Sequence, residues 1–434
     1  MPALSLYSAG SNARGQLATG NVEDAHRFTP CLFSGVAPGV LPPDVVAIEQ
    51  IACGANHTLA LLRRSSGATE LWGCGDGSRG QLGPSYLSDV EKADEEAADA
   101  TAVFRPLDLG LRTIKDPEGA SLELYTARLI AAGWETCYIV LSCSGRNDVL
   151  LVMGADDFGN LGIGGSRAQK TTTPVHVIRF DNLMSLGPTD AVLTILTLFT
   201  GLHHTMAKVR LTRSDGSIET VCVGWGTSRH GQLGHITNAS GRPLPFVSSP
   251  HLVLIPSPEE VTQLALGNQH TVALHSSGTL CALGSNRKGQ IDGLDTLRDV
   301  ERIGCTWNGT YALLHTGQVV ATGSNTHSQL GRGADYHERN GTLGPVRFPF
   351  ELRPGQIVHM VCGSEHVLCI VDRDDAQREV WGWGWNEHGN LGTGGTEDVS
   401  APVKIWPSNG HGDATGRVLR VWAGCGTSWI LVVR

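Results

Sequence analysis

Short apolar runs and glycine-centred turns alternate along this chain. Thr58-Leu59-Ala60-Leu61-Leu62 is apolar and strand-like, Ser65-Ser66-Gly67-Ala68 supplies a turn, and Glu70-Leu71-Trp72-Gly73-Cys74 leads back. The same arrangement sets Asp215-Gly216 before Val221-Cys222-Val223, Ser277-Gly278 before Leu280-Cys281-Ala282-Leu283, and Thr316-Gly317 before Val319-Val320-Ala321. Runs of this length bounded by such turns predict β-hairpins. No long stretch carries the period of an amphipathic helix, so each unit is expected to be a small antiparallel sheet.

Two phrases punctuate these hairpins. The first is Gly, a small or polar residue, Asn or Asp, two free positions, Gly, Gln or Asn, Leu, Gly. It begins at Gly10, Gly75, Gly154, Gly226, Gly284, Gly323 and Gly384, as in GDGSRGQLG from Gly75 to Gly83. The second is clearest in Ala52-Cys53-Gly54-Ala55-Asn56-His57-Thr58 and returns around His204, His270 and His366. A looser copy runs from Gly133 to Val140; two further copies are degraded, with Gly309 and Thr427 where His is expected. Strict alternation at this period means a repeat architecture, because one such unit cannot bury its faces alone.

Seven phrases predict an all-β, seven-bladed β-propeller, residues 1–434 forming one domain. The chain starts with a strand, Leu4 to Ala9, and ends with a second phrase, Trp422 to Val433. Pairing of these N- and C-terminal strands in one blade is expected to close the propeller and remove two sheet edges. Spacing between copies is uneven. The interval after Gly284 is trimmed, whereas a long acidic loop is inserted at about 84–126, with Asp89, Glu91, Asp94, Glu95, Glu96 and Asp99 opposed by Lys92. That insertion reads as a solvated loop. Two more, Ser166 to Thr189 and Ile236 to Glu260, read as loops, and Ser408 to Gly416 as a flexible one.

The alternating G-S-N-x-x-G-Q-L-G and C-G-x-x-H-T phrases resemble the repeats of the regulator of chromosome condensation family, from Leu4 to Val433. Within it, the start GSNARGQL and the ending GCGTSWILV resemble the fungal alpha-tubulin suppressor proteins. That resemblance implies a single propeller paired with a small zinc-binding electron-carrier protein. The pair serves diphthamide synthesis and the Elongator-dependent modification of wobble uridines in tRNA, the Elongator complex being a further partner. Trp381, Trp383 and Trp385 resemble the tryptophan-rich plant ultraviolet photoreceptor of the same family, but its repeated G-W-R-H-T is absent.

A net charge of −9 and a pI near 6.0 argue against bulk affinity for nucleic acid. Eleven cysteines with no C-x-x-C pair point to reduced thiols used in packing, not to zinc or a redox dithiol. The start offers no charged-then-apolar leader, and the run Ala191 to Leu202 is too short to span a bilayer. The expected compartment is the cytoplasm, with the nucleus as a second one, and no membrane partner is expected.

Chemistry is hard to find. Gly75-Asp76-Gly77-Ser78-Arg79-Gly80 fits G-x-G-x-x-G but runs on into a propeller phrase instead of a helix. His57, His204, His270 and His366 share one repeat position, so a radial fold sends them to separate blades; they read as core histidines and not as a metal site. No nucleophile stands with a placed base, so a non-enzyme without a cofactor is expected.

The free positions of the first phrase carry the sharper signal: Ala13-Arg14, Ser78-Arg79, Asp157-Phe158, Arg229-His230, Arg287-Lys288, Thr326-His327 and Glu387-His388. Six of these seven pairs include Arg, Lys or His in an acidic protein. Arg14, Arg79, Phe158, Arg229, His230, Arg287, Lys288, His327 and His388 are therefore the expected partner-binding residues, steering an acidic partner to one face. The rival readings are a guanine nucleotide exchange factor for the small nuclear GTPase and a bare interaction scaffold.

Overall fold

The computed structural model describes residues 3–86, 88, 100–165, 175–184, 191–257, 259–337, 340–373, 377–407 and 416–434. The acidic run of the 84–126 insertion, most of 166–189 and most of 408–416 lie outside them. The chain forms two compact units. A middle unit comprises Arg14–Gln16 and Pro43–Ile255; a terminal unit comprises Met1–Ala13, Leu17–Pro42 and Pro256–Arg434.

Among the described residues the middle unit holds three antiparallel sheets, each with its strands in chain order. The first blade is Val45–Cys53, His57–Arg64, Thr69–Gly75 and Arg105–Pro106. The second is Thr126–Ala132, Thr136–Ser142, Val149–Gly154 and His176–Ile178; the third is Val192–Thr200, His204–Thr212, Ile218–Thr227 and Phe246–Leu252. Apolar residues of adjoining blades interdigitate, Leu59, Leu61, Ile139 and Leu151 between the first two, and Val140, Val152, Ile195 and Trp225 between the next two. Burial of each contributes about 1.5–3 kcal/mol, which a single sheet could not gain.

The described part of the 84–126 insertion is packed in places, while the acidic run expected to be a solvated loop lies outside the described residues. Phe104 is wholly buried; Leu122, also wholly buried, and Tyr125, nearly so, join the core between the first and second blades.

Among the described residues the terminal unit holds four sheets. The fourth blade is Val261–Leu266, His270–His275 and Leu280–Gly284. It has three strands, and a short 3-10 turn, Leu294–Thr296, stands in the trimmed interval. The fifth is Val300–Cys305, Gly309–Leu314, Val319–Ser324 and Asn340–Pro345; the sixth is Ile357–Cys362, His366–Asp372, Arg378–Gly384 and Val399–Trp406. In the seventh, Arg417–Ala423 and Thr427–Val433 pair with each other and then with strands from the start of the chain, Leu4–Gly10 and Ala25–Pro30. The register runs from Leu4 opposite Val433 to Gly10 opposite Thr427.

Nearly every fixed position of the first phrase is consumed in making its own turn. In all seven copies the backbone N–H after the leading Gly donates to the carbonyl of the residue preceding the second phrase's His position, as Asp76 does to Asn56 and Trp385 to Glu365. The leading Gly has a positive φ, +95° at Gly75 and +121° at Gly323, and a Cβ there would strike the Asn56 or Asn308 carbonyl. The Asn or Asp carboxamide or carboxylate accepts the N–H of the Leu position five residues on, as Asn12 from Leu17 (2.9 Å) and Asn386 from Leu391 (2.8 Å). The Gln Oε1 accepts the N–H of the second free position, at 2.9 Å for Arg14 and 2.8 Å for Arg79, Lys288 and His327.

The second phrase is explained by its imidazole. His57, His270 and His366 are buried, and a Cβ on Gly54, Gly267 or Gly363 would strike the corresponding ring. Each Nε2 reaches the next blade: His57 to Cys137 Sγ (3.0 Å), His270 to Thr310 Oγ1 (3.1 Å) and His366 to Ser428 Oγ (3.0 Å). These are core histidines that join blades. Burial pushes all three down to about 4, so they are neutral in the fold. The degraded copy is compensated locally: Gly309 replaces His, and Thr306 fills the place of the glycine, its hydroxyl 3.0 Å from where a Cβ on Gly309 would stand.

All eleven cysteines are free. Burial pushes the Cys222 thiol up to about 11 and those of Cys31 and Cys305 up to about 12, which keeps them protonated and fits packing roles.

Candidate interaction surface

Each first phrase follows the third strand of its blade, so within a unit the free positions project from the same end of successive sheets. In the middle unit Arg14, Arg79 and Arg229 are exposed and His230 is partly covered. Arg79 Nε lies 3.6 Å from Glu135 Oε2 of the second blade, with its side chain still 60% exposed. Such a pair is worth little by itself and leaves the guanidinium accessible. Phe158 turns toward the third blade, its ring centroid 4.6 Å from that of His203, which also contacts Trp134 at 6.4 Å. Burial lowers the His203 pKa against the pull of Asp157.

In the terminal unit Arg287 and Lys288 are exposed. His327 and His388 are each paired across a blade boundary. His327 Nδ1 is 3.1 Å from Asp398 Oδ2, and His388 Nδ1 is 2.7 Å from Asp24 Oδ2. Each aspartate also accepts the backbone N–H of a phrase asparagine, Asn386 at 3.0 Å and Asn12 at 2.8 Å. One carboxylate thus pins its own turn and receives the tip of the preceding one. Trp385 stands between the histidines, with centroids 6.1 Å from His327 and 5.3 Å from His388.

The tryptophan stripe divides by environment. Trp383 is wholly buried and donates to the Gln329 carbonyl (3.0 Å), Trp381 packs on Phe350 at 5.0 Å, and Trp385 alone of the three belongs to the turn tips. Sequence reasoning missed Trp134 and Trp307, which are half-exposed in the second phrase immediately after its glycine position; comparison of that position across copies is the signal that would have found them. It also missed Glu365, buried beneath the Trp385 turn, where it accepts from Asn308 Nδ2 (2.6 Å) and Gln329 Nε2 (2.9 Å). Burial raises its pKa despite those donors.

Partly exposed aromatics set among cations are the composition of energetically dominant interface residues. Among the described residues no three His, Cys, Asp or Glu side chains come together as a metal site requires.

Comparison with known proteins agrees with this architecture. The regulator of chromosome condensation (RCC1) repeat matches residues 5–61, 224–274, 316–370 and 379–431, and a second description of the same repeat matches 48–81 and 261–290. The ultraviolet-B receptor UVR8 of Arabidopsis thaliana is 26% identical over 92% of this chain and 77% of its own. The secretion-regulating guanine nucleotide exchange factor of Mus musculus is 24% identical over 98% of this chain and 82% of its own. Among solved structures, human WBSCR16 superposes with a TM-score of 0.69 at 18% identity over 99% of both chains. Prp20p from Saccharomyces cerevisiae, whose structure is described with its binding to Gsp1p and histones, gives 0.51 at 15% over 100% of this chain and 92% of its own. The fold class is the all-β, seven-bladed propeller.

Proposed function

We propose, from the premise that this chain belongs to the regulator of chromosome condensation repeat family, that it is a non-catalytic regulatory propeller that binds and orients a small zinc-binding electron-carrier protein. Through that carrier it would serve tRNA wobble-uridine modification by Elongator and diphthamide synthesis, in the cytoplasm and nucleus. The observation that supports a binding role is the division of labour in the turns. The fixed positions are spent on backbone hydrogen bonds, whereas the variable ones present Arg14, Arg79, Arg229, Arg287 and Lys288 to solvent. A carrier with an acidic surface would be steered to these cations and anchored on the aromatics. The terminal phrases GSNARGQL and GCGTSWILV, which resemble those of the alpha-tubulin suppressor proteins, favour this partner. Pairing of Leu4–Gly10 with Thr427–Val433 would close the seven blades into one domain.

The test is to mix the purified chain with the small zinc protein, and in parallel with the small nuclear GTPase, and to follow sizing and calorimetry. A one-to-one complex with the zinc protein is expected, weakened by roughly tenfold or more when Arg79, Arg229 and Arg287 are all changed to Glu. Absence of that complex together with accelerated nucleotide release from the GTPase would move the assignment to an exchange factor. The name of the mouse relative keeps that alternative in the experiment.

A further inference from the structure

Each of the other six sheets carries a fourth, outermost strand, whereas the fourth blade ends at its third, Leu280–Gly284. Residues 259–337 are all described, so no strand of this blade is left out. The difference shows in burial. In the first blade the third strand is buried from Leu71 to Gly75, and in the fifth from Val319 to Ser324. In the fourth blade Cys281, Ala282, Leu283 and Gly284 are partly exposed.

The backbone ladder fixes which groups that edge presents. Ser285 N–H donates to the Gln269 carbonyl (2.8 Å) and His275 N–H to the Thr279 carbonyl (3.0 Å), with Leu283 and Cys281 opposite Thr271 and Ala273 between them. Alternate residues therefore bond the second strand, and Leu280, Ala282 and Gly284 turn their N–H and C=O groups outward. In other blades the carbonyl at the place of Leu280 is taken by the chain at the end of the fourth strand. Leu71 accepts from Leu107 (2.8 Å), Cys222 from Val253 (2.8 Å) and Val319 from Val346 (2.9 Å). Among the described residues no backbone group bonds Leu280, Ala282 or Gly284 from that side. The 3-10 turn Leu294–Thr296 shields one end, since Leu294 and Leu280 are buried in one core cluster. Ala282–Gly284 is left as an open edge.

The surroundings say what fits there. Arg287 and Lys288 are exposed in the turn that follows Gly284, and neither side chain has a carboxylate partner among the described residues. The strand is only about 17 Å long. Two copies paired through that edge alone would bury far less than the roughly 1,200 Å² of a stable dimer, whereas an extended segment needs no more than the edge.

We propose that the fourth blade takes an extended, acidic segment of a partner protein as its fourth strand, antiparallel to Leu280–Gly284. The direction is that of the fourth strands in the other blades, which run antiparallel to the third. It sets the N-terminal residues of the segment beside Arg287 and Lys288. Main-chain bonds to Ala282 and Leu280 hold the segment, and the two cations select its sign. Only Arg287 and Lys288 are shared with the turn tips. Ala282→Pro leaves them untouched, so loss of the segment and loss of the zinc protein are separable.

The test is titration of the full chain into a fluorescein-labelled peptide, Glu-Glu-Val-Thr-Val-Thr-Val, by fluorescence polarisation, with amide exchange followed in parallel. Saturable binding is expected, weakened roughly tenfold when both Glu of the peptide become Lys, and likewise by Arg287→Glu with Lys288→Glu. Exchange at Ala282 and Gly284 should be fast in the free chain and slow with peptide bound. Ala282→Pro should abolish binding, because it removes an outward N–H and no ladder bond. If that variant proves unfolded, the charge-reversed variant and the wild-type exchange decide. Absence of saturable binding, or binding that leaves exchange at Ala282 and Gly284 unchanged, would overturn the assignment. Concentration-dependent protection without peptide would overturn it as well, by making a second copy the occupant.

Discussion

The frame of each turn and its tip lie within a few residues of one another and behave oppositely. Gly75, Gln81 and Leu82 are held by positive φ, a side-chain bond to the backbone and complete burial, whereas Ser78 and Arg79 between them are exposed. The repeated letters of the phrase therefore specify the fold, and the letters that vary are the ones available to a partner. Mutations should separate accordingly, with stability responding to the frame and binding to the tip.

The largest effect on the frame is expected from acid. His57, His270 and His366 have folded values near 4, below the ordinary 6.5, so the unfolded chain takes up protons first as pH falls. Their stability is present above about 6.5 and is lost on the way down to about 4. Between about pH 7 and about pH 5 each costs about 2 kcal/mol, and Glu365, whose pKa is raised, offsets part of this. Thermal unfolding across that range should show a steep fall in midpoint, and a flat profile would contradict the buried, neutral state. Next in size is Gly75→Ala, which forces a Cβ into the Asn56 carbonyl at φ +95° and should cost about 3–5 kcal/mol by urea unfolding.

Gln81→Ala sharpens the contrast, since it removes the acceptor for the Arg79 N–H (2.8 Å) without touching the tip side chain. A loss of about 1–2 kcal/mol is expected in the same assay. Arg79→Ala should change stability by less than about 0.5 kcal/mol, because its pair with Glu135 is exposed. Affinity for the partner should nevertheless fall measurably by calorimetry. A tip variant that unfolds the protein, or a frame variant that leaves stability untouched, would break the comparison.

Much of this frame could be read from the chain. Seven phrases correspond to seven sheets, the interval trimmed after Gly284 corresponds to the three-stranded fourth blade, and the histidines proved to be blade-to-blade core bonds. Local chemistry explains much of it: the Asn and Gln side-chain bonds of each phrase close onto backbone N–H groups only a few residues away, so their meaning is local. The partners of the tips were not legible. His388 meets Asp24 from the opposite end of the chain, and His327 meets Asp398 from the next blade. Such pairs depend on which blades adjoin, and no short-range pattern records it. The open edge of the fourth blade is an intermediate case. The short interval after Gly284 marks the blade as incomplete, but only the ladder shows that Leu280, Ala282 and Gly284 face outward.

The mixed parentage of the seventh blade also sets a timetable. Leu4–Gly10 leaves the ribosome long before the strand it pairs with, Thr427–Val433, is made. At ~5–20 residues per second the early strand waits roughly 20–80 s for its mate, with one edge able to pair with whatever passes. Nascent-chain binders that shield such an edge during synthesis should therefore raise the yield of native protein more than those that act after release.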